Sequence, residues 1–429
     1  MEILLGLAIV LALLALGTPI YLVLMGVASV LLIVDGRSVA GLGQHVLDHL
    51  NTPILVAVPF FILAAVLMQR GNLARVLFNA ALSWIGWLPG GLAIAGVGAT
   101  AVFAAITGSS AATTMAMGTL LVPIMQERGY NRSFAMGLTA AAGTLGILIP
   151  PSLPMLLFGL IAEESIPRLF LGGLIPGLMQ ATLFALYIFF VANRVGGSSE
   201  PMVSRETFIK TNVHAFPALL IPIIVLGGIY GGFVTLTEAA VLGALVALIA
   251  VLFVYKTSKL RDISAMFTEA IDRTSVIILI IMGATLVSAW IIKSGVPQQF
   301  AQDIVASDLT AWQFLLIMNG CLILLGMFLE GVAIILIVVP VVFVVVKELG
   351  IDMTHFAVVM VINIELALLS PPIGLNLFVM SNVTGRPVGE VLRGTIPFFL
   401  IMFGLLMLVT FFPVLSTWLP NLVYGQPSS

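Results

Sequence analysis

Charge is scarce in this sequence. Asp, Glu, Lys and Arg supply 8% of 429 residues, and the net charge of −2 selects no partner by sign. No basic tract is present, so nucleic acid is excluded as a partner on charge pattern. The single cysteine, Cys321, lies in an apolar segment, so no disulfide can form within the chain and a thiolate metal site has no support. His45, His49, His214 and His355 fall at segment ends without metal-ligand spacing. His-Glu-x-x-His and Gly-x-Ser-x-Gly motifs are absent, so a polytopic membrane enzyme, one alternative class, has no visible catalytic constellation.

What is abundant is apolar surface. Hydrophobic residues make up 61% of the chain and the mean hydropathy is +1.21. A soluble core cannot absorb that much, and many runs approach the roughly 20 residues that cross a bilayer as helix. The runs are continuous rather than alternating, which excludes an outer-membrane barrel. The expected fold is an all-α polytopic membrane protein in contact with lipid. Candidate spans are 3–16, 18–34, 53–69, 133–162, 171–191, 214–230, 236–255, 274–292, 355–383 and 396–417, with two unusual blocks at 93–126 and 311–347. Residues 3–34 read either as two spans or as one long bent helix. The first residues lack a basic region and read as a retained helix.

Arg194, Arg205 and Lys210 lie in one loop, and Lys256, Lys259, Arg261 and Arg273 in another. The positive-inside rule makes both cytoplasmic. The polar stretch 193–213 reads as a linker between 1–192 and 214–429. These halves repeat. "ERGYNRSFAMGLTAAAGTLGILIPPS" and "ELGIDMTHFAVVMVINIELALLSPPI" both open on Glu-x-Gly, both carry Phe-Ala and both reach Pro-Pro at the same spacing. Arg128 counts as inside and Lys347 as outside, so the repeat is inverted, a transporter signature.

The block 93–126 must begin and end on the cytoplasmic side, so it reads as a re-entrant helical hairpin with Thr107–Thr114 at its tip. Irregular backbone at membrane depth survives only inside protein or along a wet cavity. Its hydroxyls and freed carbonyls are hard oxygen ligands for a small cation. The Pro-Pro pairs break 133–162 and 355–383, freeing carbonyls near Gly146–Ile149 and Leu368–Leu369. Ser152 follows the first break; Gly374 and Asn376 follow the second. The second hairpin, 311–347, carries Glu330 and Gly331 at its tip, and a lone intramembrane carboxylate can ligate a cation or carry a proton. Glu238 reads as a helix cap, Glu365 as either site or structure, and Gly227, Gly228, Gly231 and Gly232 as helix-packing positions. Lys293 reads as a residue snorkelling outward, with a contact to a substrate carboxylate as the alternative.

The runs "TGSSAATTMAMGTLLVPIMQERGY", "LGILIPPSLPMLLFG" and "LFLGGLIPGLM" resemble the large membrane subunit of tripartite ATP-independent periplasmic (TRAP) transporters. "GGIYGGFVTLTEAA" matches a further family segment, with Leu236 where the family often has Pro. The resemblance covers nearly the whole chain. It implies sodium-coupled secondary uptake across the bacterial inner membrane by an elevator mechanism. It implies two partners, a small four-helix membrane subunit and a periplasmic substrate-binding protein, and a small organic acid as substrate. Sodium sites, so implied, gather Gly108, Ser109, Ser110 and Thr114 with backbone at Gly146, Ile149 and Pro150, and Glu330 and Gly331 with Leu369, Ser370, Pro371 and Gly374. The family often has Asp where Glu330 stands. The substrate carboxylate is expected among Ser109, Ser110, Ser152, Gly374 and Asn376, with Lys293 the outlying candidate. A stand-alone Na⁺- or H⁺-coupled carboxylate carrier of the same superfamily is the nearer alternative.

Overall fold

The computed structural model describes residues 13, 18–34, 42–197 and 199–426. The 3–16 span and the choice between one helix and two across 3–34 therefore lie outside the described residues. Among those described, the chain is helical, and eight helical stretches are long and apolar enough to cross a membrane.

The same order of elements occurs twice. In the first half, α1 (Ile20–Val34) and the short α2 (Leu42–Leu50) precede α3 (Ala57–Arg70) and α4 (Leu73–Ile85). A hairpin of α5 (Gly91–Thr107) and α6 (Ser110–Glu127) follows. Then comes a helix in pieces, α7 (Arg132–Ala142), α8 (Leu145–Leu148) and α9 (Leu153–Ala162), and the long α10 (Ile166–Val191). After α11 (Arg205–Tyr230) and α12 (Leu236–Ile249), the second half runs through α13 (Leu260–Ser294) and α14 (Val296–Ala306). Its hairpin is α15 (Ala311–Gly326) and α16 (Gly331–Glu348), and its broken helix is α17 (Met353–Ala367) and α18 (Leu375–Thr384). The chain closes with α19 (Val388–Phe411) and α20 (Val414–Tyr424).

The repeats interlock. Each hairpin packs on the broken helix of its own half, α6 on α7 and α15 on α17. Each hairpin's second helix also packs on the far segment of the other half, α6 on α18 and α16 on α9. Around them, α13 packs on α1, α3 and α16, and α3 packs on α12. A close backbone approach joins α7 to α19, where a Cβ on Gly137 would overlap the Gly394 carbonyl and one on Gly394 would overlap that of Ser133.

Several expectations need correction. The stretch 193–213 is not linker throughout: α11 starts at Arg205, because Ser204 caps it by accepting from Thr207 N at 3.2 Å and Glu206 favours the first turn. The span 274–292 begins instead at Leu260, so Arg261 and Arg273 are helical rather than in a loop. The span 396–417 ends at Phe411, where Pro413 begins a separate helix. Gly227 and Gly232 have nothing within 4 Å of an added Cβ, and Gly228 and Gly231 meet only Val234, Phe233 and a backbone carbonyl of their own turn. Gly227 and Gly228 end α11 and Gly231 and Gly232 form the turn after it, and among the described residues none of the four packs a second helix. Glu238 does cap α12, in a reciprocal pair with Thr235.

Candidate functional site

The first tip is a two-residue reversal. Gly108 closes α5 in the left-handed region at φ 57°, and an added Cβ would sit 3.1 Å from Pro151 O. Both conditions require glycine. Ser109 is extended and starts α6. Not all the hydroxyls here are ligand-facing. Thr107 and Thr113 share a 2.6 Å hydrogen bond, and Thr113 Oγ1 donates to Ser109 O at 2.8 Å. These two threonines brace the tip, which leaves Ser109 and Ser110.

At the first break, Ser152 takes over one freed carbonyl by donating to Ile147 O, and caps α9 by accepting from Met155 N at 3.4 Å. Gly146 lies beneath the tip, where an added Cβ would be 3.0 Å from Ser109 O. At the second break, Asn376 N donates to Leu368 O at 3.1 Å and Ser370 Oγ to Leu366 O at 2.8 Å. Gly374 begins α18 at φ 35°. The second tip, Met327–Glu330, ends on Glu330, whose side chain makes no capping bond. Gly331 then abuts α17, with an added Cβ 2.5 Å from Ile364 Cγ2.

These pieces meet at one cavity of about 140 Å³. Gly108, Ser109 and Ser110 line it from the first tip, Ser152 from the first break, and Glu330 and Gly331 from the second tip. Leu368 and Leu375 flank it from the second broken helix. Arg273 of α13 also lines it, and the residue types along its wall make Arg273 and Glu330 its two ionic groups. Arg273 Nη2 donates to Glu269 Oε1 at 2.6 Å, and the other oxygen of Glu269 accepts from Arg70 at the end of α3.

Other expected residues are placed elsewhere. Asn376 is fully buried and reaches the site only through Ser110 Oγ, to which it donates at 2.7 Å. Thr114 lies one turn below Ser110, buried beside Gly143. Ile149 turns toward Gly177 on α10, and Ile149 and Pro150 line no part of the cavity. Leu369, Ser370, Pro371 and Gly374 do not line it either, although Pro371 is exposed. Lys293 sits at the far end of α13 from Arg273, roughly 30 Å away at 1.5 Å per residue. Glu365 is wholly buried against Gln180 and does not line the cavity. Arg273 is the residue that sequence reasoning missed, since it counted as loop charge. The signal was Glu269 four residues before it, the helical spacing of a charge pair.

A small cation fits one of the two expected sites better than the other. Thr114 Oγ1 and Asn376 Oδ1 are buried without a hydrogen-bond partner among the described residues, on either side of Ser110. Hydroxyl and amide oxygens of this kind suit a hard monovalent ion. Around Glu330 no such set forms among the described residues, because Ser370 bonds to its own helix and Gly374 packs on Leu377.

Apolar spans enclosing a cavity made from paired hairpin tips and a helix break define a multi-pass membrane transport protein. Residues 7–415 match the family model for the tripartite ATP-independent periplasmic transporter, DctM component. The chain is 38% identical to the C4-dicarboxylate TRAP transporter large permease protein DctM of Pseudomonas aeruginosa, over 92% of each chain. It is 34% identical to the sialic acid TRAP transporter large permease protein SiaM of Vibrio cholerae, over 97% of this chain and 98% of that one. The crystal structure of the Alcanivorax borkumensis YdaH transporter shares the fold, with a TM-score of 0.57 at 16% identity over 89% of each chain. The chain therefore belongs to the DctM family, the large permeases of tripartite periplasmic transporters of the bacterial inner membrane, and is a transport protein rather than an enzyme.

Proposed function

We propose that this permease takes up a small organic acid in symport with sodium, and that Arg273 holds the substrate's carboxylate in the cavity between the two tips. The observation that carries the reading is the convergence of both tips, the first break and one arginine on a single cavity. A guanidinium binds a carboxylate through charge-assisted N–H bonds, and the Ser109 and Ser110 hydroxyls add donors around it. The unpartnered oxygens of Thr114 and Asn376 support a sodium site behind the first tip. Relatives named for C4-dicarboxylates and for sialic acid support a carboxylate-bearing substrate. The mutual packing of hairpins and broken helices, flanked by α3 and α13, is compatible with the elevator motion that the family resemblance implies. In this reading a small membrane subunit completes the permease and a periplasmic protein delivers the acid.

The test is reconstitution in liposomes with the small subunit and the binding protein. Uptake of succinate, N-acetylneuraminate and ectoine is measured under imposed sodium or proton gradients. Sodium-driven uptake of one acid, lost in Arg273→Gln, is the expected result. Full-rate uptake on a proton gradient alone would defeat the sodium assignment, and uptake without the binding protein would favour a stand-alone carrier.

A further inference from the structure

Arg273 is not held by the tips it faces. Its hydrogen bonds, among the described residues, both leave from Nη2, to Glu269 Oε1 at 2.6 Å and to Gln69 Oε1 at 3.4 Å. Glu269 is itself clamped, because its Oε2 accepts from Arg70 Nε at 2.9 Å and from Arg70 Nη2 at 2.6 Å. The two carboxylate oxygens are thus divided between two arginines. Gln69 and Arg70 end α3, and Glu269 and Arg273 lie one turn apart on α13, a helix packed on α3.

We propose that Glu269 is a positioning residue for substrate binding: it holds the Nη2 corner of the Arg273 guanidinium and leaves Nε and Nη1 to donate separately to an anion in the cavity. This rests on the reading of Arg273 as the carboxylate anchor. Arginine has five donors in a rigid fork, so holding one nitrogen orients the rest. A side chain so held loses less freedom when the anion arrives, which improves affinity without a new contact. Charge favours the same arrangement. Two guanidiniums and one carboxylate leave the Arg70–Glu269–Arg273 cluster with a single net positive charge, Glu330 being the cavity's other ionic group. Without Glu269, Arg70 and Arg273 would repel and Arg273 would lose its fixed corner. Among the described residues, Arg273 is the one cavity-lining group to which the Glu269 carboxylate hydrogen-bonds, so Glu269 acts through it.

The experiment uses the permease purified with its small subunit, without the binding protein. Thermal stabilisation is titrated with whichever of succinate, N-acetylneuraminate and ectoine the wild type takes up fastest. Glu269→Gln should raise the half-saturating concentration several-fold while leaving the ligand-free melting temperature near wild type. Glu269→Asp should recover part of the affinity. Arg70→Gln, at an exposed position, should shift affinity the same way by less, and it decides the matter if Glu269→Gln does not assemble. An unchanged midpoint in these variants overturns the proposal. A lower midpoint also overturns it, because Glu269 would then be competing with the substrate. If Arg273→Gln binds and transports like wild type, the anchor reading fails instead.

Discussion

The side-chain amide of Asn376 donates to Ser110 Oγ at 2.7 Å, joining the second broken helix to the first hairpin tip across a sequence separation of 266 residues. The same nitrogen donates to Ala140 O at 3.1 Å on α7. One amide therefore sets the register of the tip, the first broken helix and the start of α18. Asn376→Ala leaves buried acceptors without their donor, at a cost of about 1–3 kcal/mol. Asn376→Asp, which cannot donate when ionised, should behave similarly. Thermal unfolding should fall modestly in both, and uptake should fall much further because the tip loses its register. Wild-type uptake in Asn376→Asp would detach this residue from the tip.

Gly137 and Gly394 let α7 and α19 touch backbone to backbone. A side chain at either position has no room, and no flexible neighbour can yield, because the obstructing atoms are carbonyls. Gly137→Leu should fail to give a monodisperse protein. Gly137→Ala should lower the melting temperature, with overpacking costs of about 1–3 kcal/mol or more. A Gly137→Ala variant with unchanged melting would mean that the two helices separate readily.

Much of the site is legible in the sequence alone. The Gly108–Ser110 reversal, the two Pro-Pro breaks and Glu330 carry signals that are local, because turn chemistry and proline effects act over a few residues. Asn376 is legible as a polar residue after the second break but not in its role, since its partner Ser110 belongs to the other half of the chain. Arg273 escapes for a related reason. A charge near a helix end and a charge facing a cavity look alike until the helix's start is known, and α13 begins 14 residues earlier than its apolar run suggests. The glycines at the end of α11 mislead in the other direction, as small-residue spacing serves a helix end and its turn as readily as a helix contact.

Asn319, Asn363 and Thr410 form a second buried network, this one tying α15, α17 and α19. Asn319 Nδ2 donates to Thr410 Oγ1 at 3.0 Å, and Asn363 Nδ2 donates to Asn319 Oδ1 at 2.8 Å. Removing one member orphans the others, so Asn319→Leu should cost about 1–3 kcal/mol. Removing both amides should cost less than the sum, since paired apolar replacements leave fewer unmet groups. A double-mutant cycle on melting temperature measures the coupling. Additive losses for Asn319→Leu and Asn363→Leu would show that the network does not act as a unit.

Thr114 separates a ligand from a passenger by the sign of two effects. Its hydroxyl is buried and has no partner among the described residues, against the Gly143 backbone and one turn from Ser110. An unmet buried hydroxyl destabilises the fold that contains it. Thr114→Val keeps the shape and removes the hydroxyl, so in sodium-free buffer the variant should melt at or above the wild-type temperature. If the hydroxyl serves a cation, sodium should stabilise the wild type and stabilise Thr114→Val less. Half-maximal uptake should then require several-fold more sodium in the variant. Both measurements use the same protein with and without sodium, so a general folding defect cannot imitate the result. Identical sodium dependence in the two proteins would remove Thr114 from the ion site and leave its hydroxyl as a packing cost.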